Sequence, residues 1–241
     1  MNEPKSLNEL KHTPRKWDSL KGENSWTMFK VLSEMVEGFE KLNQIGPCVS
    51  IFGSARTKPE DKYYQLAVDT ASSLIEAGFG VITGGGPGIM EAGNKGAHLA
   101  NGTSVGLNID LPFEQSHNPY IDFDKNLNHR YFFIRKVMFV KYAQAFIAMP
   151  GGFGTLDELF EVLTLIQTKK ISRVPTILVG KEFWGGLHGW IQETLLDKFS
   201  NISPPDMDLI PIVDTPAEVI KIINDFYSDQ ELHQIKPNYE L

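Results

Sequence analysis

The chain has 241 residues, 41% of them hydrophobic and 22% charged, enough for one well-buried α/β domain and free of low-complexity tracts or internal repeats. A formal charge of −7 argues against a general electrostatic grip on nucleic acid, but leaves room for a small anion held by helix ends and a few cations. The single Cys48 excludes an intrachain disulfide and a cysteine-built zinc site. The polar first residues do not read as a secretory signal, and no apolar run reaches the length of a membrane span. The expectation is a soluble cytoplasmic protein that engages neither membrane nor nucleic acid.

Residues 1–25 are expected to be a flexible segment. From Trp26, apolar residues recur at Phe29, Leu32, Met35, Val36, Phe39 and Leu42. This spacing predicts a helix over 26–44, capped by Ser25, ended by Gly46-Pro47 and packed through its apolar stripe on the core. A strand–helix rhythm follows: strand 48–52, helix 61–77, strand 79–83, helix 89–100 and strand 104–109. A long loop over 110–128, with a short strand near 120–123, leads to a helix over 130–142 and a strand over 145–149. Beyond the next helix come strand 176–179, helix 186–198, strand 209–212, a last helix over 216–227 and a polar tail over 229–241. Alternation of this kind predicts an α/β, doubly wound parallel sheet in a single domain, whose ligands bind beyond the carboxyl ends of the strands.

Three glycine turns fall at that edge: Gly53-Ser54, Gly84 to Gly88, and Gly151 to Thr155. The third matters most. Pro150-Gly151-Gly152-Phe153-Gly154-Thr155-Leu156-Asp157-Glu158 runs from an apolar strand into a helix, where backbone N–H groups converge and carry partial positive charge. It reads as a phosphate cradle with the Glu158 carboxylate on its rim. A capping box Thr155-x-x-Glu158 would account for the same two side chains by helix closure alone. Arg135 lies in an almost wholly apolar helix, where a guanidinium needs an anionic partner unless it reaches the surface. Ser54, Gly85 and Gly86 are candidate ligand contacts. Glu91 is a weaker one, since an acid at a helix start favours the dipole anyway.

The glycine turns do not fit a dinucleotide site. No Gly-x-Gly-x-x-Gly follows the first strand, and no acid closes the second. No turn ends in the Gly-Lys-Ser/Thr of a nucleoside-triphosphate loop. The histidines have no ligand-like spacing, so no metal and no organic cofactor is expected.

Four stretches together resemble the LONELY GUY family of cytokinin riboside 5′-monophosphate phosphoribohydrolases, in its longer, bacterial-type branch: Phe52-Gly-Ser-Ala55, Gly84-Gly-Gly-Pro-Gly-Ile-Met-Glu91, Arg135-Lys136, and Pro150 to Glu158. The resemblance implies a Rossmann-like sandwich that works as a homodimer or larger oligomer. It implies hydrolysis of the N-glycosidic bond of a nucleoside 5′-monophosphate, with Arg135 and Glu158 as catalytic pair. Gly151, Gly152, Phe153, Gly154, Thr155, Leu156 and Asp157 would form the phosphate loop, and Lys136 and Glu114 would contact substrate. Ala55 stands where many relatives carry serine. A non-catalytic nucleotide or phosphate-ligand carrier of the same fold is the alternative. A decarboxylase, the family's inherited label, would need a Schiff-base lysine and ranks last.

Overall fold

The computed structural model describes residues 23–110, 117–228 and 234–238. The N-terminal segment before Glu23, Glu114 and most of the polar tail therefore lie outside the described residues. Seven strands form one all-parallel sheet: β1 (Cys48–Phe52), β2 (Gly80–Thr83), β3 (Ser104–Ile109), β4 (Asn126–His129), β5 (Ala143–Ala148), β6 (Thr176–Val179) and β7 (Ile212–Val213). Their order across the sheet is β4-β3-β2-β1-β5-β6-β7. The chain winds outward from β1 to β4, then returns to the other side of β1 as β5. The switch point of this Rossmann-like, doubly wound sheet thus lies between β1 and β5, where a crevice opens at the carboxyl ends.

Helices cover both faces. Apolar residues of α2 (Lys62–Glu76), α3 (Ile89–Leu99) and α7 (Pro216–Tyr227) close one core over β1, β2 and β5. The opposite core gathers α4 (Phe132–Tyr142), α5 (Phe153–Gln167) and the end of α1 (Glu23–Leu42). Beside it, α6 (Lys181–Trp190) buries Trp184, whose indole N–H donates to Ala148 O at 3.0 Å, and continues as a π-helical run over Ile191–Lys198.

Several expectations shift. The strand after the long loop is Asn126–His129 rather than 120–123, because its pairing with Gly106 to Ile109 extends the sheet edge there. The last strand moves to Ile212–Val213, behind a 3-10 turn at Pro204–Leu209. Ser25 does not cap α1, which already begins at Glu23. The apolar stripe of α1 also divides. Val31, Met35, Phe39 and Leu42 join the core on α4, with Gly38 admitting Met138, while Trp26, Phe29, Leu32 and Val36 are more than half exposed.

At the amino end of β5 the ladder with β1 carries one extra residue, Gln144, between the Cys48–Ala143 and Val49–Ala145 pairs. Gln144 exchanges hydrogen bonds with the Lys236 backbone at 2.9 and 3.2 Å, and its own carbonyl accepts from Tyr227 OH at 2.6 Å. Asn238 then donates to Val140 O and Ala143 O, so part of the C-terminal segment is fixed against the foot of this strand.

Candidate active site

Three turns meet at the switch point, and Ser54 ties them together. Its N–H donates to Pro150 O at 3.0 Å, and its carbonyl accepts the Ile89 N–H at 3.0 Å. Two glycines of the middle turn, Gly85 at φ +74° and Gly88 at φ +68°, adopt left-handed angles that side chains resist. Around these turns opens a cavity of about 1350 Å³, ample for a nucleotide.

The N-terminus of α5 faces this cavity. Its N-cap, Gly152, has no side-chain oxygen to offer, and no acid occupies the first turn. The dipole end is therefore left for a ligand. Gly151 is sterically required, since a Cβ there would overlap the Thr155 hydroxyl, whereas a Cβ on Gly152 or Gly154 would meet open space. Thr155 lies inside the helix rather than at its cap, so neither the helix cap nor the capping box expected of Thr155 and Glu158 forms. Helix closure does not explain these two side chains.

Glu158 is 9% exposed, and its Oε2 has no hydrogen-bond partner among the described residues. Burial pushes its carboxyl up to about 7, against the opposing pull of the Lys136 and Arg135 charges. Arg135 does not reach out to the surface. Its Nε donates to Leu107 O at 2.7 Å, its guanidinium stacks 5.1 Å from the Phe139 ring centre, and Nη2 lies where a Gly84 side chain would be. The C-terminal end of β3 and the aromatic floor thus aim it into the same cavity as Glu158.

Lys136 turns the other way, toward α5. Its Nζ sits 2.6 Å from Glu161, 2.8 Å from Asp157 and 3.7 Å from Glu158. Burial works against its charge, but these carboxylates outweigh it and hold the ammonium above its ordinary pKa. Such a lysine stays protonated and is a poor Schiff-base nucleophile.

The cavity wall therefore gathers Ser54, Gly86, Arg135 and every residue from Gly151 to Glu158. Gly85 and Lys136 stand behind it, and Glu91 is held by Tyr64 OH at 2.7 Å outside it. Sequence reading missed Asn108 and Asn128, at the ends of β3 and β4 beside Asp110, together with Arg56, Met90 and Phe132. The available signal was a polar pair, Asn108 and Asp110, at the exit of an apolar strand on the ligand-binding edge. Among the described residues no group of acids, histidines or cysteines is placed to hold a metal ion.

Residues 90–223, more than half of the chain, match the family described as "Possible lysine decarboxylase". The chain belongs to this family. It is similar to the probable cytokinin riboside 5′-monophosphate phosphoribohydrolase LOGL5 of Oryza sativa subsp. japonica, at 28% identity over 71% of this chain and 69% of that protein. The family likeness extends to the Arabidopsis thaliana cytokinin riboside 5′-monophosphate phosphoribohydrolase LOG3, at 25% identity over 74% of this chain and 82% of that protein. Among solved structures, the molybdenum cofactor carrier protein of Chlamydomonas reinhardtii shares the fold, with a TM-score of 0.56 at 18% identity over 76% of this chain and 99% of that chain.

Proposed function

We propose that this protein hydrolyses the N-glycosidic bond of a nucleoside 5′-monophosphate, AMP or a cytokinin riboside 5′-monophosphate, to free base and ribose 5-phosphate. One observation carries the reading: a buried carboxylate with an unbonded oxygen shares a cavity with a guanidinium and an uncapped helix N-terminus. The phosphate would rest on the N–H groups of α5 and the Thr155 hydroxyl. That leaves the ribose between Glu158 and Arg135. As the C–N bond breaks, positive charge grows on the anomeric carbon, and an ionised Glu158 offsets it and orients the incoming water. Water supplies the new C–O bond, and its proton passes by way of Glu158 toward the departing base. Arg135 offers a fixed fork of donors to the ribosyl phosphate or the Glu158 carboxylate.

The reaction so written calls on no metal or organic cofactor, and we propose that it runs in the cytoplasm, where nucleoside monophosphates are available. The names of the relatives support the substrate class, and the engagement of Lys136 by three carboxylates speaks against decarboxylation through a lysine adduct. We further propose a homodimer or larger homo-oligomer, on the strength of the exposed α1 face formed by Trp26, Phe29, Leu32 and Val36. The deciding experiment incubates the purified chain with a panel of nucleoside 5′-monophosphates and measures free base and ribose 5-phosphate. Tight binding with no base released from any of them would replace the hydrolase by a carrier.

A further inference from the structure

Behind the Gly84–Gly88 turn lies a group of side chains that the proposed chemistry does not use. Thr83, Asn94, Ser104 and Asn118 come from the end of β2, the middle of α3, the start of β3 and the loop that follows β3, and all four are buried. Asn94 stands at the centre. Its Oδ1 accepts from the Thr83 hydroxyl and, at 2.9 Å, from Asn118 Nδ2, while its Nδ2 donates to Ser104 Oγ at 2.9 Å and Val105 O at 3.1 Å. From this centre the network reaches the turn. Thr83 Oγ1 accepts the Gly85 N–H at 3.0 Å, and Asn118 Nδ2 donates to the Gly85 and Gly86 carbonyls at 3.1 Å each. It also reaches the loop, through Ser104 Oγ to Tyr120 O at 2.7 Å and the Tyr120 N–H to Asn118 Oδ1 at 3.1 Å.

An apolar quartet would fill the same volume without desolvating polar groups. A buried network in which the members satisfy one another instead fixes a single arrangement. What this one arranges is a wall of the cavity, because Gly86, which accepts from Asn118, and His117, the chain neighbour of Asn118, both line it. We infer that Asn118 is a positioning residue of the site, locking the glycine turn and the His117 end of the loop into one preformed surface for the sugar and base of the ligand. The identity of that ligand rests on the nucleotide reading above.

A preformed wall touches the ligand equally before and during reaction, so loosening it raises KM more than it lowers kcat. A merely structural defect does the opposite, since a smaller folded fraction lowers the apparent kcat and leaves KM alone. Asn118→Asp keeps the side-chain shape but turns a carboxylate oxygen toward three acceptors: Gly85 O, Gly86 O and Asn94 Oδ1. At pH 8 its KM for AMP should rise about tenfold or more, with kcat within about threefold of wild type. The gap should narrow toward pH 6, as acid returns a donating proton to the carboxyl. An unchanged KM at pH 8 overturns the inference. If that variant does not fold, Thr83→Val cuts the network at its other end, and the same two results decide. A wild type that binds nucleoside 5′-monophosphates but releases base from none of the panel removes the hydrolase reading alone, and the inference is then read from the Kd of a bound monophosphate by the same tenfold criterion. A wild type that binds no nucleoside monophosphate overturns both.

Discussion

A carboxyl that titrates near 7 in the fold and near 4.5 when exposed makes Glu158 a cost to folding at neutral pH and above. The folded state holds its proton to higher pH than the unfolded chain does. The stability this group contributes is therefore complete below pH 4.5 and lost as pH rises through 7, a difference on the order of 3 kcal/mol. Glu158→Gln should melt higher than wild type at pH 8 and close to it at pH 4.5. The same variant should lose turnover by at least about a hundredfold, the low end for a positioned acid or base. Scanning calorimetry at the two pH values and initial rates check the two halves independently. In wild type, kcat/KM should rise through about pH 7 as Glu158 ionises. Lys136 restrains that titration from 3.7 Å. Lys136→Met should move the rise to higher pH and lower the rate at neutral pH, and a pH–rate profile that stays in place would show that the lysine does not act through Glu158.

Among elements, α5 carries the clearest conflict between stability and binding. Gly154 lies in its first turn, where alanine would favour the helix by roughly 0.5–1 kcal/mol, and a Cβ there would meet only open space. Gly154→Ala should therefore raise the melting temperature slightly while raising KM for the monophosphate severalfold, because the methyl group enters the space left for phosphate. Thermal melts and steady-state kinetics on one preparation test this. Much of this element was legible in advance: an apolar strand, glycines and an apolar helical period gave its place and its polarity. Its cap was not, because Thr155 followed by Glu158 satisfies a local pattern that the backbone ignores by starting the helix three residues earlier, with Gly152 as N-cap. The short strand β4 was hidden for a different reason. Asn126-Leu-Asn-His129 has little strand propensity and is recruited by pairing with β3, which no local window contains. The pairing of Asn108 with Asn128 in the cavity wall was lost with it, since it exists only where those two strands end side by side.

At the scale of the whole molecule, the reversal of strand order between β1 and β5 decides where anything can bind, and the glycine turns refine that location. The outer face of α1 has no such intramolecular purpose. Trp26→Glu combined with Phe29→Glu should shift a dimer to monomer in light scattering while leaving the monomer's melting temperature within a few degrees, since neither side chain is part of the core. A wild type that is monomeric at micromolar concentration would remove the proposed oligomer. The extra residue in β5 carries a separate consequence. Gln144 shifts the ladder by one residue, after which regular pairing resumes at Val49 and Ala145, and its side chain holds Lys236 at the amino end of a six-residue strand whose other end leads to the cavity. Six residues of strand span about 20 Å. The chain's last described residues thus give the molecule a handle on the side away from its chemistry, and a tether attached there would present the cavity mouth to solution.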